Sequence, residues 1–303
     1  MRDAFSRALV TLAKQDPRVL LMTGDHGYAL FDEFRESLPS QYINAGIAEQ
    51  NMVGMAAGLA IAGYRPFVYG LAAFVPVRVV EQIKLDIAHD YRPVVILGDG
   101  AGFVYSHLGT SHQSLEDISC MRAIPGLEIL SPADRFEMTA CMNYAYNRES
   151  SVYLRMGKSD RGDVHLAPIA KIGAGRLLKI RVGHSDRPAI IATGSMVRSA
   201  LAVGEKIGSS VWSAPMIKPL SAQDVCIAST SACGIVTMEE HSVYGGLGSA
   251  VAEITSSHAP TRVLRIGVND VFSHKCGSYN YLLKEHGLDA ETVQQKIVAY
   301  FNM

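Results

Sequence analysis

A single glutamate stands near the start of a segment that is otherwise small and apolar. Residues 44–52 read Asn-Ala-Gly-Ile-Ala-Glu-Gln-Asn-Met, and Gly, Ala, Met and Val dominate the predicted helix over residues 48–61. In the ordinary interpretation, Glu49 is a first-turn carboxylate that the helix dipole stabilises by about 0.3–1 kcal/mol. The apolar surroundings also suit a carboxyl group that keeps its proton and donates a hydrogen bond to a heterocycle nitrogen.

General motifs for catalysis and metal binding contribute little. The sequence contains no G-x-S-x-G elbow, no phosphate loop and no complete G-x-G-x-x-G. The run Gly98-Asp99-Gly100 resembles the start of the motif with which thiamine enzymes bind a metal and a diphosphate. The next asparagine is Asn143, which is too distant to be the second ligand of that motif. We therefore predict no metal site in this chain and interpret the run as a tight loop after a strand.

The composition predicts a globular protein and argues against nucleic acid and membranes as partners. The 303 residues include 28 Lys and Arg against 29 Asp and Glu, a formal net charge of −1, with 48% hydrophobic and 19% charged residues. This balance supplies a core but favours no anionic partner. The longest uncharged apolar stretch, residues 52–64, is shorter than the ~20 residues of a membrane span. With no signal-peptide pattern at the N-terminus, we predict a cytoplasmic location.

The cysteines do not form a recognisable framework. Their number is odd and no C-x-x-C spacing occurs, so we expect buried free thiols rather than disulfides or a zinc site. The five are Cys120, Cys141, Cys226, Cys233 and Cys276.

Apolar runs alternate with helical patterns along the first half of the chain. Strands are predicted at residues 19–22, 67–69, 93–97, 127–130 and 151–154, and helices at 2–14, 48–61, 77–89 and 135–147. Nearly continuous apolar strands that alternate with helices predict a mainly parallel sheet covered on both faces. Ligands of such sheets usually bind at the carboxyl ends of the strands, where the loops leave them.

The pattern stops at a polar segment and then restarts. We predict a first domain over residues 1–160, a linker over 161–172 and a second domain over 173–303. In the second part, strands are predicted at residues 189–192, 234–238 and 261–266, and helices at 196–206 and 247–256. The fold class is therefore α/β, with two domains that each contain a mainly parallel sheet flanked by helices.

Several motifs, in order, resemble the later half of the transketolase family. The run Gly46-Ile47-Ala48-Glu49-Gln50 is similar to the glutamate motif of the pyrimidine-binding domain in thiamine diphosphate enzymes. The remaining matches, in chain order, are Phe74 with Arg78 and Glu81-Gln82, residues 110–117 (Thr-Ser-His-Gln-Ser-Leu-Glu-Asp), residues 122–126 (Arg-Ala-Ile-Pro-Gly), residues 131–134 (Ser-Pro-Ala-Asp) and the C-terminal signature at residues 239–248. The resemblance implies a pyrimidine-binding domain followed by a transketolase C-terminal domain, without the amino-terminal domain that binds diphosphate and metal.

The resemblance also implies roles around the cofactor. Glu49 would hydrogen-bond the aminopyrimidine nitrogen of thiamine diphosphate and favour the tautomer that activates the thiazolium carbon. Phe74 would stack on the pyrimidine, and Leu71 stands where the family often has a second aromatic residue. Asp25 matches an acidic residue near the cofactor. His112 would contact the reacting oxygen of the donor and relay protons.

A second group of residues would bind the substrate. Arg2 and Arg155 match positions that hold a sugar phosphate, although surface arginines are common. His107 lies nearby but replaces an acidic residue of the family pattern, so its substrate-binding role is an open alternative to that of a solvated loop histidine.

Three other positions depart from the family. Leu108 replaces an aspartate that reads a donor hydroxyl, Gly100 replaces a histidine of the substrate channel, and Ala29 replaces a phosphate-binding serine. Burying a hydroxyl against leucine without a partner costs roughly 1–3 kcal/mol. We therefore expect an atypical donor, such as an unusual ketose, a deoxygenated sugar or a 2-oxo acid.

These resemblances predict the C-terminal subunit of a split, transketolase-like enzyme that transfers a two-carbon ketol unit between sugar-type substrates. The N-terminal, diphosphate-binding subunit would be its partner in a heterotetramer of two plus two chains, and it would hold Mg²⁺ or Ca²⁺. One alternative is acyl transfer from a 2-oxo acid such as pyruvate, as in 2-oxo-acid dehydrogenase β-subunits or deoxyxylulose-phosphate synthase. The other is a non-catalytic scaffold that keeps the fold.

Overall fold

The computed structural model describes residues 1–158 and 160–303, which form two sheets with helices packed on them. The strands are β1 (Val19–Thr23), β2 (Tyr42–Asn44), β3 (Arg65–Leu71), β4 (Val95–Asp99), β5 (Glu128–Leu130), β6 (Val152–Met156), β7 (Leu178–Arg181), β8 (Ala189–Ala192), β9 (Val211–Ser213), β10 (Met216–Lys218), β11 (Ile235–Ser242) and β12 (Val263–Val268). The first sheet has the order β10-β5-β6-β4-β3-β1-β2, and the second β12-β11-β8-β9-β7.

The α-helices connect and flank these strands. They are α1 (Arg2–Gln15), α2 (Asp32–Ser37), α3 (Glu49–Ile61), α4 (Val80–Gln82), α5 (Asp117–Arg122), α6 (Arg135–Tyr146), α7 (Met196–Ile207), α8 (Ala222–Thr230), α9 (Leu247–His258), α10 (Tyr279–Glu285) and α11 (Ala290–Phe301). No helix among the described residues is long and apolar enough to cross a bilayer.

The parallel pairing follows from the continuous apolar strands. Residues of β1, β4 and β6 are buried throughout, because helices cover both faces of the sheet. Successive side chains of a strand enter opposite cores: Val95 and Leu97 of β4 pack in one apolar cluster, and Ile96 packs in the other. The predicted fold class, two mainly parallel sheets flanked by helices, is confirmed.

The two parts of the chain share one sheet edge. Strand β10 follows the second-domain strand β9, yet it pairs antiparallel with β5 of the first sheet, with Met216 opposite Leu130. Lys218 at its end donates hydrogen bonds to the carbonyl oxygens of Arg122 and Ile124. The boundary predicted at residues 161–172 stays a prediction, and the structure adds a crossing strand that short local patterns did not indicate.

Two local predictions need correction. The segment predicted as one amphipathic helix over residues 77–89 is a 3₁₀ turn, the short α4 and a π-helical stretch, although Val79, Ile83 and Ile87 still share its buried face. The strand predicted to end at residue 238 continues to Ser242. Thus Glu239, Glu240 and His241 are buried strand residues.

The expectation that the cysteines are buried holds only in part. All five are free, as predicted, and Cys141 is buried, whereas Cys120 and Cys226 are half-buried. Cys233 and Cys276 are exposed, so for these two the expectation was wrong.

The carboxyl ends of the parallel strands bring the candidate residues to one edge. Strands β1, β3, β4 and β6 run in the same direction, so the loops that leave them lie side by side. These loops begin after Thr23, Leu71, Asp99 and Met156. Helix α3, with Glu49 as its first residue, follows the neighbouring β2.

Candidate functional site

Four side chains form a continuous row at this edge of the first sheet. Oε1 of the buried Glu49 accepts a hydrogen bond of 2.9 Å from Nη1 of Arg78. The guanidinium carbon of Arg78 lies 4.3 Å from the ring centroid of Phe74. The Phe74 and His112 rings meet edge to face, with their centroids 5.2 Å apart. These residues are the Glu49 cluster, in which Glu49, Phe74 and His112, predicted separately from the sequence, lie together.

Local backbone geometry explains how the cluster forms. Gly46 has φ +70°, and its N–H donates to Oδ1 of Asn44, which turns the chain from β2 into α3. After β3, the N–H of Phe74 donates to the carbonyl of Leu71, and the N–H of Arg78 donates to the carbonyl of Phe74. Phe74 and Arg78 are therefore one helical turn apart and face the same side.

The surroundings of Glu49 differ from the apolar pocket that its sequence suggested. The side chain is 9% exposed, and its ion-pair partner Arg78 is 47% exposed. The helix contributes the apolar residues, but the arginine comes from the loop after β3, and that long-range contact was not part of the prediction. The hydrogen bond from Arg78 goes to Oε1 of Glu49, so Oε2 is the oxygen that this hydrogen bond does not use.

Asp25 and Leu71 contact the two turns that carry the cluster. Asp25 is exposed and has φ +59°, a left-handed conformation that is costly for most residues but tolerated by Asp. Its Oδ1 accepts from the hydroxyl of Tyr28 at 3.0 Å and from Nδ2 of Asn44 at 3.4 Å, next to the turn that leads to Glu49. Leu71 is half-buried at the end of β3, and its carbonyl holds the turn that contains Phe74.

Arg2 belongs to a second group at the end of β4. Its Nε lies 3.7 Å from Oδ2 of the buried Asp99, and 44% of its side chain is exposed. Asp99 also accepts a hydrogen bond of 2.6 Å from the hydroxyl of Tyr69. The same carboxylate affects Tyr105, since burial and the charge of Asp99 raise the pKa of Tyr105 to about 12. The buried Asp99 fixes the position of the Arg2 guanidinium, and nearly half of the Arg2 side chain stays accessible.

Tyr105 occupies the place of a side chain at residue 100. Gly100 has φ +75°, and a Cβ atom on it would overlap the Tyr105 ring. The position where the family has a channel histidine is thus filled by an aromatic ring from five residues further on. His107 and Leu108 are exposed on the next turn, with 47% of Leu108 accessible.

Arg155 is a predicted site residue that the structure places in the interior. It is 2% exposed, its Nε donates to Oδ2 of Asp117 at 2.7 Å, and its Nη2 donates to the carbonyl of Glu240 at 2.8 Å. The prediction that it binds a sugar phosphate is corrected, because the guanidinium is used by interior acceptors. The carboxylate that binds it is on α5, far along the chain, so the sequence around β6 could not reveal the pairing.

Sequence reasoning also missed two contributors. Arg78 was part of a matched motif but received no role, although its spacing of four residues from Phe74 indicated a shared face. Tyr105 gave no signal, because its effect depends on the absence of a side chain at Gly100. The residues that the structure describes contain no group of three or more His, Cys, Asp or Glu that could hold a metal ion.

Fold and site together define the class of protein. A parallel sheet with a carboxyl, an aromatic ring and a histidine at its carboxyl edge is the arrangement of a cofactor-binding α/β domain. Residues 1–162 match the pyrimidine binding domain of transketolase, and residues 179–293 match the transketolase C-terminal domain. The chain belongs to the transketolase family, whose members are thiamine diphosphate-dependent transferases.

Similar proteins extend over almost the whole chain. A putative transketolase C-terminal section from Methanocaldococcus jannaschii is 35% identical over 308 residues, covering 98% of this chain and 95% of that protein. A subunit of the apulose-4-phosphate transketolase from Phocaeicola vulgatus is 34% identical over 299 residues, covering 96% and 94%. A solved split-gene transketolase, described as an inactive β4 tetramer, has a TM-score of 0.87 at 34% identity, covering 98% and 97%.

The Glu49 cluster fits the pyrimidine ring of thiamine diphosphate. A flat heterocycle needs an aromatic surface and a carboxyl oxygen, and Phe74 and Oε2 of Glu49 are of these types. In the turn that leads to Glu49 the backbone leaves space, because a Cβ atom on Gly46 would meet no atom within 4 Å.

The ion pair between Glu49 and Arg78 should be measurable as a coupling energy. We predict that Glu49→Gln, Arg78→Met and the double variant give a coupling of about 1 kcal/mol in urea unfolding of the isolated chain. This value lies between those of exposed and buried pairs, because one partner is buried and the other is half-exposed.

A matched cycle with Arg35→Met and Asp32→Asn is the control. Both partners of that pair are exposed, at 39% for Arg35 and 51% for Asp32, so its coupling should stay within about 0.5 kcal/mol. A coupling between Glu49 and Arg78 no larger than the control would contradict the geometry described above.

Proposed function

We propose that this chain is the pyrimidine-domain subunit of a split transketolase-like enzyme that transfers a two-carbon ketol unit between sugar-type substrates. The Glu49 cluster is the observation that carries the proposal, because it joins the three residue types required at the reacting end of the cofactor. Thiamine diphosphate, when bound, supplies the nucleophilic carbon and the electron sink. The protein supplies binding, orientation and proton transfer.

Each residue of the cluster has one task. Glu49 would hydrogen-bond the ring nitrogen of the pyrimidine, while Arg78 holds its carboxyl group through Oε1. The ring of Phe74 would pack on the heterocycle. The imidazole of His112 would hold or accept the proton of the reacting oxygen of the donor. Asp25 and Leu71 would border the cofactor.

An exposed face of α3 supports the proposed assembly. Around Gly54 and Gly58, where a Cβ atom would meet nothing, the face exposes Ile47 at the helix start together with Met55 and Ile61. Small and apolar residues on one face allow another chain to approach closely. We assign this face to contact with a second copy and with the N-terminal subunit, giving two plus two chains. The partner subunit holds the diphosphate and its Mg²⁺ or Ca²⁺.

The residues around the candidate donor site indicate an uncommon donor. Arg2 is half-exposed beside Asp99 and suits an anionic group such as a phosphate on the sugar. Leu108 offers no hydrogen bond, Tyr105 fills the space above Gly100, and Ala29 provides no hydroxyl for a phosphate. We therefore propose a donor that lacks or masks the hydroxyl usually read at residue 108. The Phocaeicola vulgatus relative is named for another uncommon sugar, apulose 4-phosphate.

Acyl transfer from a 2-oxo acid remains the second candidate, and Leu108 is the observation that favours it. A methyl group next to the reacting carbonyl, as in pyruvate, needs no polar partner and suits an apolar side chain. His107 is exposed on the same turn, where it can contact the carboxylate of a 2-oxo acid or a phosphate of a sugar. We place the enzyme in the cytoplasm, since its five free cysteines suit a reducing compartment.

Glu49→Gln tests the cofactor role. The amide keeps the shape of the side chain but removes the carboxyl group, so the chain should fold while turnover of the reconstituted enzyme falls by ~10²-fold or more. This loss corresponds to ~2.7 kcal/mol of transition-state stabilisation. Turnover is measured with the partner subunit and saturating cofactor. Glu36→Gln, which changes an exposed carboxylate on α2, is the control and should keep full activity. Near-normal turnover of Glu49→Gln would overturn the proposal.

Leu108→Asp tests the donor. The exposed position tolerates the change, and the new carboxylate can pair with a donor hydroxyl, so preference should move toward xylulose 5-phosphate. The measurement is kcat/KM for xylulose 5-phosphate, a deoxyketose and pyruvate in the wild type, in Leu108→Asp and in the apolar control Leu108→Met. If the wild type already prefers xylulose 5-phosphate, Leu108 does not select the donor. If pyruvate is best, acyl transfer replaces ketol transfer.

A further inference from the structure

Glu240 of the second sheet reaches into the loop that carries His112. The residue is 2% exposed on β11, and its Oε1 accepts a hydrogen bond of 2.6 Å from the backbone N–H of Phe103. Its Oε2 accepts hydrogen bonds from the hydroxyls of Ser195 and Tyr279. A carboxylate from the second part of the chain is thus bound to the backbone of the first.

The base of that loop is closed by further hydrogen bonds. Gly102 and Ser114 exchange two backbone hydrogen bonds of 2.9 and 3.1 Å, so the segment between them is a closed loop. Nη2 of Arg155 donates to the carbonyls of Ser114 at 3.3 Å and of Glu240 at 2.8 Å. A Cβ atom on Gly102, which has φ +73°, would overlap Oε1 of Glu240. Glycine is therefore required for the carboxylate to approach this closely.

The closed loop carries four residues of the candidate site: Tyr105, His107, Leu108 and His112. Phe103, next to the base, is fully buried, and its ring stacks on that of His286 with centroids 4.9 Å apart. The second part of the chain therefore holds the base of the loop by a carboxylate and by an aromatic contact. Hydrogen bonds to a buried charge are stronger than neutral ones and tolerate little displacement.

We propose that Glu240 is a positioning residue through which the C-terminal domain sets the place of His112 and of the donor-reading residues. The inference rests on the proposed function for its consequence in turnover, but the positioning itself is a property of this chain. It gives the second domain a task in the reaction, although none of its residues belongs to the Glu49 cluster. It also gives Arg155 a task, because the guanidinium joins Ser114 at the loop base to Glu240.

The neighbouring glutamate provides a matched control. Glu239 is buried on the same strand, but its oxygens accept from the N–H groups of Leu247 and Gly248, which start α9 in its own domain. Burial raises its pKa to about 7. Removing Glu239 therefore takes away a buried carboxyl group and its hydrogen bonds without touching the loop.

Hydrogen exchange of the isolated chain tests the positioning directly. In Glu240→Ala, amides of residues 103–112 should exchange about tenfold faster or more, as expected when hydrogen bonds to a charged group are lost. In Glu239→Ala, exchange should increase at the start of α9 and stay unchanged in residues 103–112. Glu240→Gln keeps an acceptor for the N–H of Phe103 and should restore most of the protection. Unchanged exchange of the loop in Glu240→Ala would overturn the proposal.

A milder variant covers the case in which Glu240→Ala does not fold. Tyr279→Phe removes one donor to Oε2 and leaves the carboxylate and the N–H of Phe103 in place. It should increase exchange in the same residues by a smaller factor. Protection equal to the wild type in Tyr279→Phe, with Glu240→Ala unfolded, would contradict the role of this contact.

The kinetic experiment uses the chain reconstituted with its N-terminal partner. Glu240→Ala should lower kcat/KM for the donor by about tenfold to 10²-fold, because small displacements of reacting groups have effects of this size. The affinity for thiamine diphosphate should not change, since Glu49 and Phe74 lie outside the loop. Glu239→Ala should keep kcat/KM near the wild-type value. A fall in cofactor affinity equal to that in kcat/KM would contradict a role limited to the loop.

The two experiments separate the inference from the function on which it rests. If the reconstituted wild type transfers neither ketol nor acyl groups, the proposed function fails, whereas faster exchange in Glu240→Ala still supports the positioning. If transfer is observed and exchange of the loop is unchanged, the function stands and the positioning role fails.

Discussion

A buried ion pair between Arg155 and Asp117 connects several elements of the structure. Both side chains are almost fully enclosed, at 2% and 0% exposure, and the hydroxyl of Tyr153 also donates to Asp117. Burial alone would raise the pKa of Asp117, but the guanidinium holds it below the ordinary value. The arginine lies on β6, the aspartate on α5, and the same arginine reaches the carbonyls of Ser114 and Glu240. One charge thus joins the first sheet, its helix, the loop and the second sheet.

Burying such a pair is costly, and removing one partner costs more, because the remaining charge is left without compensation in the interior. The sequence around β6 is therefore constrained although no substrate is in contact with it. Arg155 occupies a position that resembles a substrate-binding position of the family, but in this chain its guanidinium donates to interior acceptors. Only the three-dimensional contacts distinguish these two roles.

Much of the fold could be predicted because its signals are local. Continuous apolar runs such as residues 19–22 and 93–97 correspond to strands buried on both faces. Glu49 and His112 could be predicted because motifs that resemble the family follow one another along this sequence in the family's order. The antiparallel pairing of Met216 with Leu130 and the burial of Glu239–His241 depend on partners far along the chain. No periodicity reports such contacts, and so these features appear only in the structure.

The role of Arg78 shows the same distinction within the site. Its spacing from Phe74 was visible in the sequence, whereas its contact with Glu49 requires the loop after β3 to fold over the start of α3. Oε1 accepts the hydrogen bond from Arg78, and the turn before α3 is open at Gly46, where a Cβ atom would meet no atom within 4 Å. The chain thus presents one half of a binding site, composed of a ring, a carboxyl oxygen and an imidazole.

The most direct measurement of that half-site is calorimetric titration of thiamine diphosphate with Mg²⁺. Three samples are compared: this chain, the N-terminal partner subunit and their equimolar mixture. If the Glu49 cluster binds only the pyrimidine half, this chain alone should bind weakly or not at all, and the mixture should bind tightly and in a Mg²⁺-dependent way. Tight, Mg²⁺-dependent binding by the isolated chain would contradict a site divided between two subunits.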